Sequence, residues 1–422
     1  MKTVRVITLG CSKNTVDTEH LLACLPADVF LVCGDGPVDV LLINTCGFIG
    51  DAKEESVAAV LDAVEAKKRG EVGALVVFGC LSQRYMSELK EEIPEVDAWF
   101  GARTLDPVLK YVGAEPGTYT DRYISDRKGY AYLKISEGCD RRCSYCAIPF
   151  IRGAHRSVPI ESVVAEAEKL AATGVKELIL IAQDTTYYGL DLYHRRALAD
   201  LIKALSAVDG IEWIRIHYSY PASFPQDVLD EMASNPKVCK YLDIPLQHIS
   251  DVVLDKMHRN VDGAWTRELI AKLRAEVPGV VLRTTMIVGH PGEGEKEFDE
   301  LIDFVRQARF ERLGAFTYSE EEGTFGAEHF EDDVQQSTKD ARYDALMSLQ
   351  SEISLEFNRS RVGNVERVMV DDVVDGTLVC RSQYESPEVD GEILVKGDSP
   401  VGSFIDVRIT GADEYDLIAE MI

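Results

Sequence analysis

No stretch of the 422 residues reaches the roughly 18 consecutive apolar positions of a membrane span, which excludes a helical membrane anchor from the expected architecture. The opening run from Met1 to Cys11 only superficially imitates a lipoprotein cleavage site. Its apolar stretch is too short for a signal sequence and contains Arg5, so it reads as the first strand of a cytoplasmic protein. Basic charge is scarce: 45 Lys and Arg stand against 72 Asp and Glu, a net charge of −27. Such a surface repels phosphate backbones, which argues against direct nucleic-acid binding and favours a basic protein partner. Internal repeats and low-complexity tracts are also missing. Cysteine is what the chain has in quantity. Ten cysteines without a secretion signal point to metal or redox chemistry, or to small buried side chains, rather than to a disulfide framework.

At 46% hydrophobic, the chain can bury several cores, and its length suggests about three domains. Residues 1–115 alternate apolar runs with helical patterns, the signature of an open parallel α/β sheet. Strands are expected at Val4 to Leu9, Val38 to Ile43 and Ala74 to Phe78, with helices at Thr15 to Leu25 and Ala52 to Lys68. A polar connector carrying Pro116, Gly117 and Gly129 follows. Residues 125–356 then supply six short strands: Ala131 to Ile135, Leu178 to Ala182, Trp213 to His217, Tyr241 to Ile244, Leu282 to Val288 and Leu313 to Tyr318. Six strand-helix units predict a partial TIM-like (β/α)6 barrel, open at one side. A long helix is expected at residues 339–360. From residue 357 to 422 the pattern changes to short β-runs with Gly turns, predicting a small five-stranded β-barrel.

The sharpest local signal is Cys139, Cys143 and Cys146, directly after the first expected barrel strand. Spacings of four and three let three thiolates wrap a compact loop around one face of an iron-sulfur cube, leaving the fourth iron without a protein ligand. Catalytic metal sites keep such an open position, and barrel enzymes place their chemistry at the C-terminal ends of their strands. A zinc knuckle completed by His155 is the bland alternative.

A second set is more dispersed. Each N-terminal strand runs into a cysteine, in Leu9-Gly-Cys11, Asn44-Thr-Cys46 and Phe78-Gly-Cys80. In an open parallel sheet, ligands bind outside the carboxyl ends of the strands, so equivalent placement would bring these thiols to one rim. Gly10, Gly47 and Gly79 would let backbone approach a bulky cofactor. Three structural cysteines falling at strand ends by coincidence is the competing account. Cys24, Cys33, Cys239 and Cys380 have no such company and read as small core residues.

The triplet, with the aromatic Tyr145 before its last cysteine, resembles the radical S-adenosylmethionine (SAM) superfamily. Together with the N-terminal set and the final β-barrel, it makes the whole chain similar to the methylthiotransferase family, whose last module is the TRAM domain. The similar segments are Leu9 to Glu19, Asn44 to Ile49, Glu54 to Ser56, Tyr132 to Cys139, Ala182 to Gly189, Asp243 to His248 and Glu385 to Gly391. Their wording is nearer the branch that modifies an aspartate of ribosomal protein S-twelve than the branch that modifies transfer RNA. Two departures stand out. After Arg152-Gly153 the family shows Ser-Arg-Pro, whereas here Ser157-Val158-Pro159 has its arginine one step earlier, at Arg156. His290 replaces a phenylalanine in Val288 to Glu293.

The resemblance implies two 4Fe-4S clusters, one on Cys11, Cys46 and Cys80, the other on Cys139, Cys143 and Cys146. It implies SAM on the open iron of the second, contacted by Tyr145, Gln183, Gly289 and Glu293, with Asp184 either a contact or a helix cap. The implied reaction is methylthiolation of an unactivated β-carbon, where no acidic proton exists for a general base and radical hydrogen abstraction is required. The implied partners are a basic ribosomal protein, met free or on the small ribosomal subunit, and a flavodoxin- or ferredoxin-type electron donor. From Phe357 to Ile422 there are 6 Lys and Arg against 14 Asp and Glu, a net charge of −8, which opposes RNA and attracts a basic protein. Two other readings are transfer-RNA methylthiolation, expected to bring a more basic final domain, and a non-catalytic iron-sulfur electron carrier, which would need no such barrel.

Overall fold

The computed structural model describes residues 1–124 and 128–422, so the expected start of the middle domain at residue 125 lies outside the described residues. The chain forms two compact units. The first comprises Met1–Ser125, Ser136–Arg141 and Cys146–Lys169; the second comprises Asp126–Ile135, Arg142–Tyr145 and Leu170–Ile422. Among the described residues no helix is long and apolar enough to cross a membrane.

In the first unit, β1 (Lys2–Thr8), β2 (Phe30–Val32), β3 (Val38–Thr45), β4 (Val72–Gly79) and β5 (Ala98–Trp99) form a parallel sheet in the order β2-β1-β3-β4-β5. The three expected strands are its central ones. The edge strands β2 and β5 are three and two residues long, too short to leave a period-2 signature. Alternation sorts the central strands onto two cores. Val40, Leu42, Val76 and Phe78 pack on one face with Leu21 and Leu109, whereas Leu41, Ile43, Leu75 and Val77 pack on the other with Val60 and Trp99. A sheet covered on both faces explains why β3 reads as a nearly continuous apolar run. Two short strands, β7 (Ser136–Glu137) and β8 (Arg156–Ser157), pair in this unit on either side of the cysteine loop.

The second unit contains β6 (Tyr130–Lys134), β9 (Glu177–Ile181), β10 (Trp213–Ile216), β11 (Val238–Asp243), β12 (Val281–Val288) and β13 (Arg312–Thr317). They form a parallel six-stranded sheet in the order β13-β12-β11-β10-β9-β6, with β6 and β13 at its edges. This is the expected six-strand partial barrel. The helix Gln336–Arg361 covers the region expected at 339–360. It leads into a closed antiparallel-rich barrel of β14 (Val365–Val374), β15 (Thr377–Arg381), β16 (Ile393–Lys396), β17 (Phe404–Ala412) and β18 (Leu417–Met421), in the order β14-β15-β16-β18-β17. Its interior is Val368, Val370, Leu378, Ile393, Val395, Val407, Ile409 and Leu417.

Candidate functional site

Because β1, β3 and β4 are adjacent and parallel, their C-terminal ends share one rim of the first unit. Cys11 caps the helix Ser12–Ala23, Cys46 follows β3, and Cys80 opens the helix Cys80–Glu92. The turns are tight enough to need their glycines. A Cβ on Gly10 would lie 2.7 Å from the Cys46 Cβ, and one on Gly47 would lie 2.6 Å from Leu81. Gly79 holds φ at +108°, and a Cβ there would meet Asn44 Oδ1 and the Thr45 carbonyl at 2.6 Å. Ser56 fixes the Cys46 turn: its Oγ accepts from the Cys46 N–H at 3.0 Å and donates to the Cys46 carbonyl at 2.8 Å. Cys46 and Cys80 are buried and Cys11 is exposed. Burial pushes the Cys80 thiol up to about 11 and Cys46 upward too, with the neighbouring thiols adding to the rise and Arg152 opposing it. Buried thiols of this kind surrender their protons to a metal rather than to water.

Sequence reasoning missed two polar residues beneath this rim. Asn14 donates from Nδ2 to the carbonyls of Leu9 at 2.7 Å and Thr45 at 3.3 Å, tying the β1 and β3 ends together, while its Oδ1 lies 3.9 Å from Cys80 Sγ. Arg152 lies buried against the same group. An arginine on the short helix Ile148–Arg152 carries no sequence mark of burial except the apolar company of Ile148, Phe150 and Ile151.

The second cysteine set lies on a loop whose parts belong to different units. Within the first, the Cys139 N–H donates to the Gly153 carbonyl at 3.0 Å, and a Cβ on Gly138 would lie 2.1 Å from the Ala154 carbonyl oxygen. His155, the alternative zinc ligand, bonds through Nε2 to Ser157 Oγ at 3.0 Å. Within the second unit, Arg259 Nη1 donates to Cys143 Sγ at 3.5 Å and to the Tyr145 hydroxyl at 3.3 Å. The Ser144 N–H donates to the Met257 carbonyl, and its carbonyl accepts from Gly326 N–H at 2.7 Å.

The remaining expected contacts follow the ends of β9 and β12. Gln183 lies two residues beyond β9. Asp184 acts as the cap: its Oδ1 accepts from Thr186 N–H at 2.9 Å and from Thr186 Oγ1 at 2.6 Å. Gly289, at φ +73°, is backed by Lys339, whose Cγ would be 2.3 Å from an added Cβ. Glu293 is buried, with Oε1 accepting from Gly289 N–H at 2.9 Å and from Arg342 Nη1 at 2.8 Å, and Oε2 3.0 Å from His248 Nε2. Its carboxylate braces the Gly289 turn. His290 is fully buried among Tyr145, Tyr318 and Phe330.

Both regions fit an absent polyatomic group. Around Tyr145, Ser144 Oγ, Arg259 Nε and His290 Nε2 are buried without a hydrogen-bond partner among the described residues; near Cys80 the same holds for Ser82 Oγ and Asn44 Oδ1. Among the described residues no three His, Cys, Asp or Glu side chains close on one point as ligands of a single ion would. An iron-sulfur cube seats each thiolate on its own iron and asks only for three thiols along a rim. Cys239 and Cys380 are buried core residues as expected, and Cys24 and Cys33 pack at the edges of the first unit's two cores.

Three family models match the chain: the uncharacterized protein family UPF0004 over residues 3–101, the radical SAM superfamily over 133–305, and the TRAM domain over 362–422. A protein of Phocaeicola vulgatus described as ribosomal protein uS12 methylthiotransferase RimO is 49% identical over 428 residues, spanning 100% of this chain and 99% of its own length. Proteins of the same description from Porphyromonas gingivalis and Christiangramia forsetii are also 49% identical, each spanning 99% of this chain and 99% and 94% of their own lengths. Among solved structures, the radical SAM methyltransferase TsrM of Kitasatospora setae, with cobalamin and a [4Fe-4S] cluster, aligns over 75% of each chain with a TM-score of 0.56 and 15% identity. The cobalamin-dependent SAM radical enzyme OxsB aligns over 84% of this chain and 56% of its own with a TM-score of 0.53 and 13% identity. At those identities the two structures share a fold with this chain and nothing further follows from them. The full-length identity to the uS12 enzymes settles the family, and the chain belongs to the RimO methylthiotransferases of the radical SAM superfamily.

Proposed function

We propose that this chain methylthiolates the β-carbon of an aspartate in ribosomal protein uS12, in the cytoplasm, using SAM and two [4Fe-4S] clusters. The observation that carries the reading is the presence of two separate sets of three cysteines, one at the C-terminal ends of three parallel strands and one on the loop that follows β6, in a chain 49% identical to uS12 methylthiotransferases over its whole length. Cys11, Cys46 and Cys80 would hold one cluster and Cys139, Cys143 and Cys146 the other. SAM, bound to the second cluster, supplies the hydrogen-abstracting power that no side chain here possesses.

The chain's own residues position and shield. Arg259 orients the Cys143 to Tyr145 segment by bonding both side chains. Tyr145, Gln183 and Gly289 line the SAM site, and Glu293 contributes by holding the Gly289 turn with Arg342 and His248. Residues 1–115 deliver sulfur, 125–356 perform the SAM chemistry, and 357–422 meet the substrate. Two of the last module's six basic side chains, Arg361 and Arg381, are buried, and so are two of its acidic ones, Glu366 and Glu385, so its net charge of −8 is carried by its remaining surface. That supports a basic ribosomal protein over transfer RNA as partner. Electrons come from a flavodoxin- or ferredoxin-type donor.

The test offers anaerobically reconstituted enzyme, with SAM, dithionite and sulfide, to uS12 and unmodified transfer RNA in parallel, with products read by mass spectrometry. A methylthio mass increment on a uS12 aspartate is expected. The increment on transfer RNA would overturn the substrate, and failure to cleave SAM at all would overturn the chemistry.

A further inference from the structure

Arg152 is a cation in a place where a cation is costly. Its side chain is 2% exposed, and it stands in the first unit beneath the rim that carries Cys11, Cys46 and Cys80. Nη1 donates to Asp17 Oδ2 at 2.6 Å, to Glu137 Oε2 at 3.2 Å and to the Ala102 carbonyl at 3.3 Å, and Nη2 donates to Asn14 Oδ1 at 2.5 Å. Asn14 Oδ1, which accepts from Nη2, in turn lies 3.9 Å from Cys80 Sγ, so one side chain separates the guanidinium from that thiol. The Arg152 backbone is held there independently. Ala147 and Ile151 pack on Cys80, and Arg103 donates to the carbonyls of Phe150 at 2.8 Å and Ile151 at 3.3 Å.

The charges decide what this arrangement is for. Two carboxylates, Asp17 and Glu137, already pair with the one guanidinium before any thiolate forms. A ferrous-ferric cube on three thiolates adds negative charge, and its one-electron reduction adds more. In a buried site each unit of charge within hydrogen-bond reach is felt strongly, and cluster potentials follow net charge and hydrogen bonds to sulfur. A residue needed only to pin the helix Ile148–Arg152 to its surroundings would not have to bring a buried charge within one side chain of the Cys80 thiol.

We propose that Arg152 is the charge partner of the N-terminal cluster, a positioning residue whose buried guanidinium raises that cluster's reduction potential, with Asp17 opposing it. This rests on the assignment of Cys11, Cys46 and Cys80 as cluster ligands. The test uses the full chain with Cys139, Cys143 and Cys146 replaced by alanine, so that a single cluster is present, and follows its midpoint potential by anaerobic optical and electron-paramagnetic titration. Arg152→Met should make reduction at least tenfold less favourable, a midpoint about 59 mV more negative for one electron. Arg152→Lys, which keeps the charge, should stay near the parent, and Asp17→Asn, which removes a competing anion at constant shape, should move the midpoint the other way. Midpoints unchanged in Arg152→Met and Asp17→Asn, or moved in the same direction, overturn the proposal. Should Arg152→Met fail to fold, an unmoved midpoint in Asp17→Asn overturns it alone. If the alanine-substituted parent takes up no iron, the ligand assignment itself is wrong and the proposal falls with it; about four irons and an unmoved potential leave the assignment standing and refute only the role of Arg152.

Discussion

At position 290 the imidazole gives its Nδ1 proton to the Pro291 carbonyl at 3.0 Å and leaves Nε2 buried without a partner among the described residues. Burial, with the Pro291 bond opposing it, pushes the ring's pKa down to about 4, so His290 stays neutral through the physiological range. A buried acceptor left unmade costs about 1–3 kcal/mol. His290→Phe should therefore raise the thermal midpoint of SAM-free protein by a few degrees, read by calorimetry; a fall would show that the imidazole makes an interaction a phenyl ring cannot replace. Cys239 and Cys380 give a second prediction. Burial pushes both thiols up to about 12, whereas an unfolded thiol ionises near 8.5. Above pH ~8.5 the unfolded state binds fewer protons than the native state, so stability falls with rising pH by up to about 1.4 kcal/mol per unit for each thiol until the native pKa is reached. Urea titrations of metal-free protein at pH 8, 9 and 10 should show a shallower decline for the Cys239→Ala, Cys380→Ala double variant. Parallel declines would remove the thiols from the account.

Strand ends are where the fold and the first candidate site meet. Gly79→Ala places a Cβ within 2.6 Å of Asn44 Oδ1 and the Thr45 carbonyl at a φ of +108°, at the turn that delivers Cys80. Reconstituted Gly79→Ala should retain about four irons in place of about eight, with the SAM-cleaving activity of the remaining cluster intact; full loading would separate the turn from cluster binding. The central strands were legible because apolar runs on sheets buried on both faces are bounded by Gly, Asn and Cys, and the observed ends fall within a few residues of those read from the sequence. Edge strands β2 and β5 were not, being too short for periodicity. The cysteine positions were legible as residue types at strand ends, but their polar support was not. Arg152 and Asn14 are ordinary polar letters until the fold brings residues over a hundred positions apart together. Glu293 was legible as part of a motif and not as a brace, because His248 and Arg342 come from distant segments.

At the scale of the second unit, the final β-barrel is joined to the six-stranded sheet by buried charge. Glu177 at the start of β9 meets Arg215 of β10 at 2.7 Å and Arg381 of β15 at 2.5 Å, and Arg381 also pairs with Asp371 at 2.5 Å. Glu385 is shared by Arg312 and Arg361. Removing one member of such a buried network strands its partners and costs about 3–5 kcal/mol. Arg381→Met should therefore lower protection against hydrogen exchange in β9 and in the barrel together, and loss confined to the barrel would mean the network does not couple them. With Arg361 and Arg381 consumed internally, the barrel presents few cations outward, and the whole chain carries −27. Ribosomal proteins bind RNA and are basic, so their encounter with this surface is attractive and screened by salt. The apparent KM for uS12 should rise about tenfold between low salt and 0.3 M salt while kcat holds. A polyanionic substrate would be repelled by the same surface, and salt would then lower KM. The sign of the salt dependence thus separates a basic protein substrate from transfer RNA without reference to which cluster does what, and a KM that falls with salt would contradict the charge argument at its root.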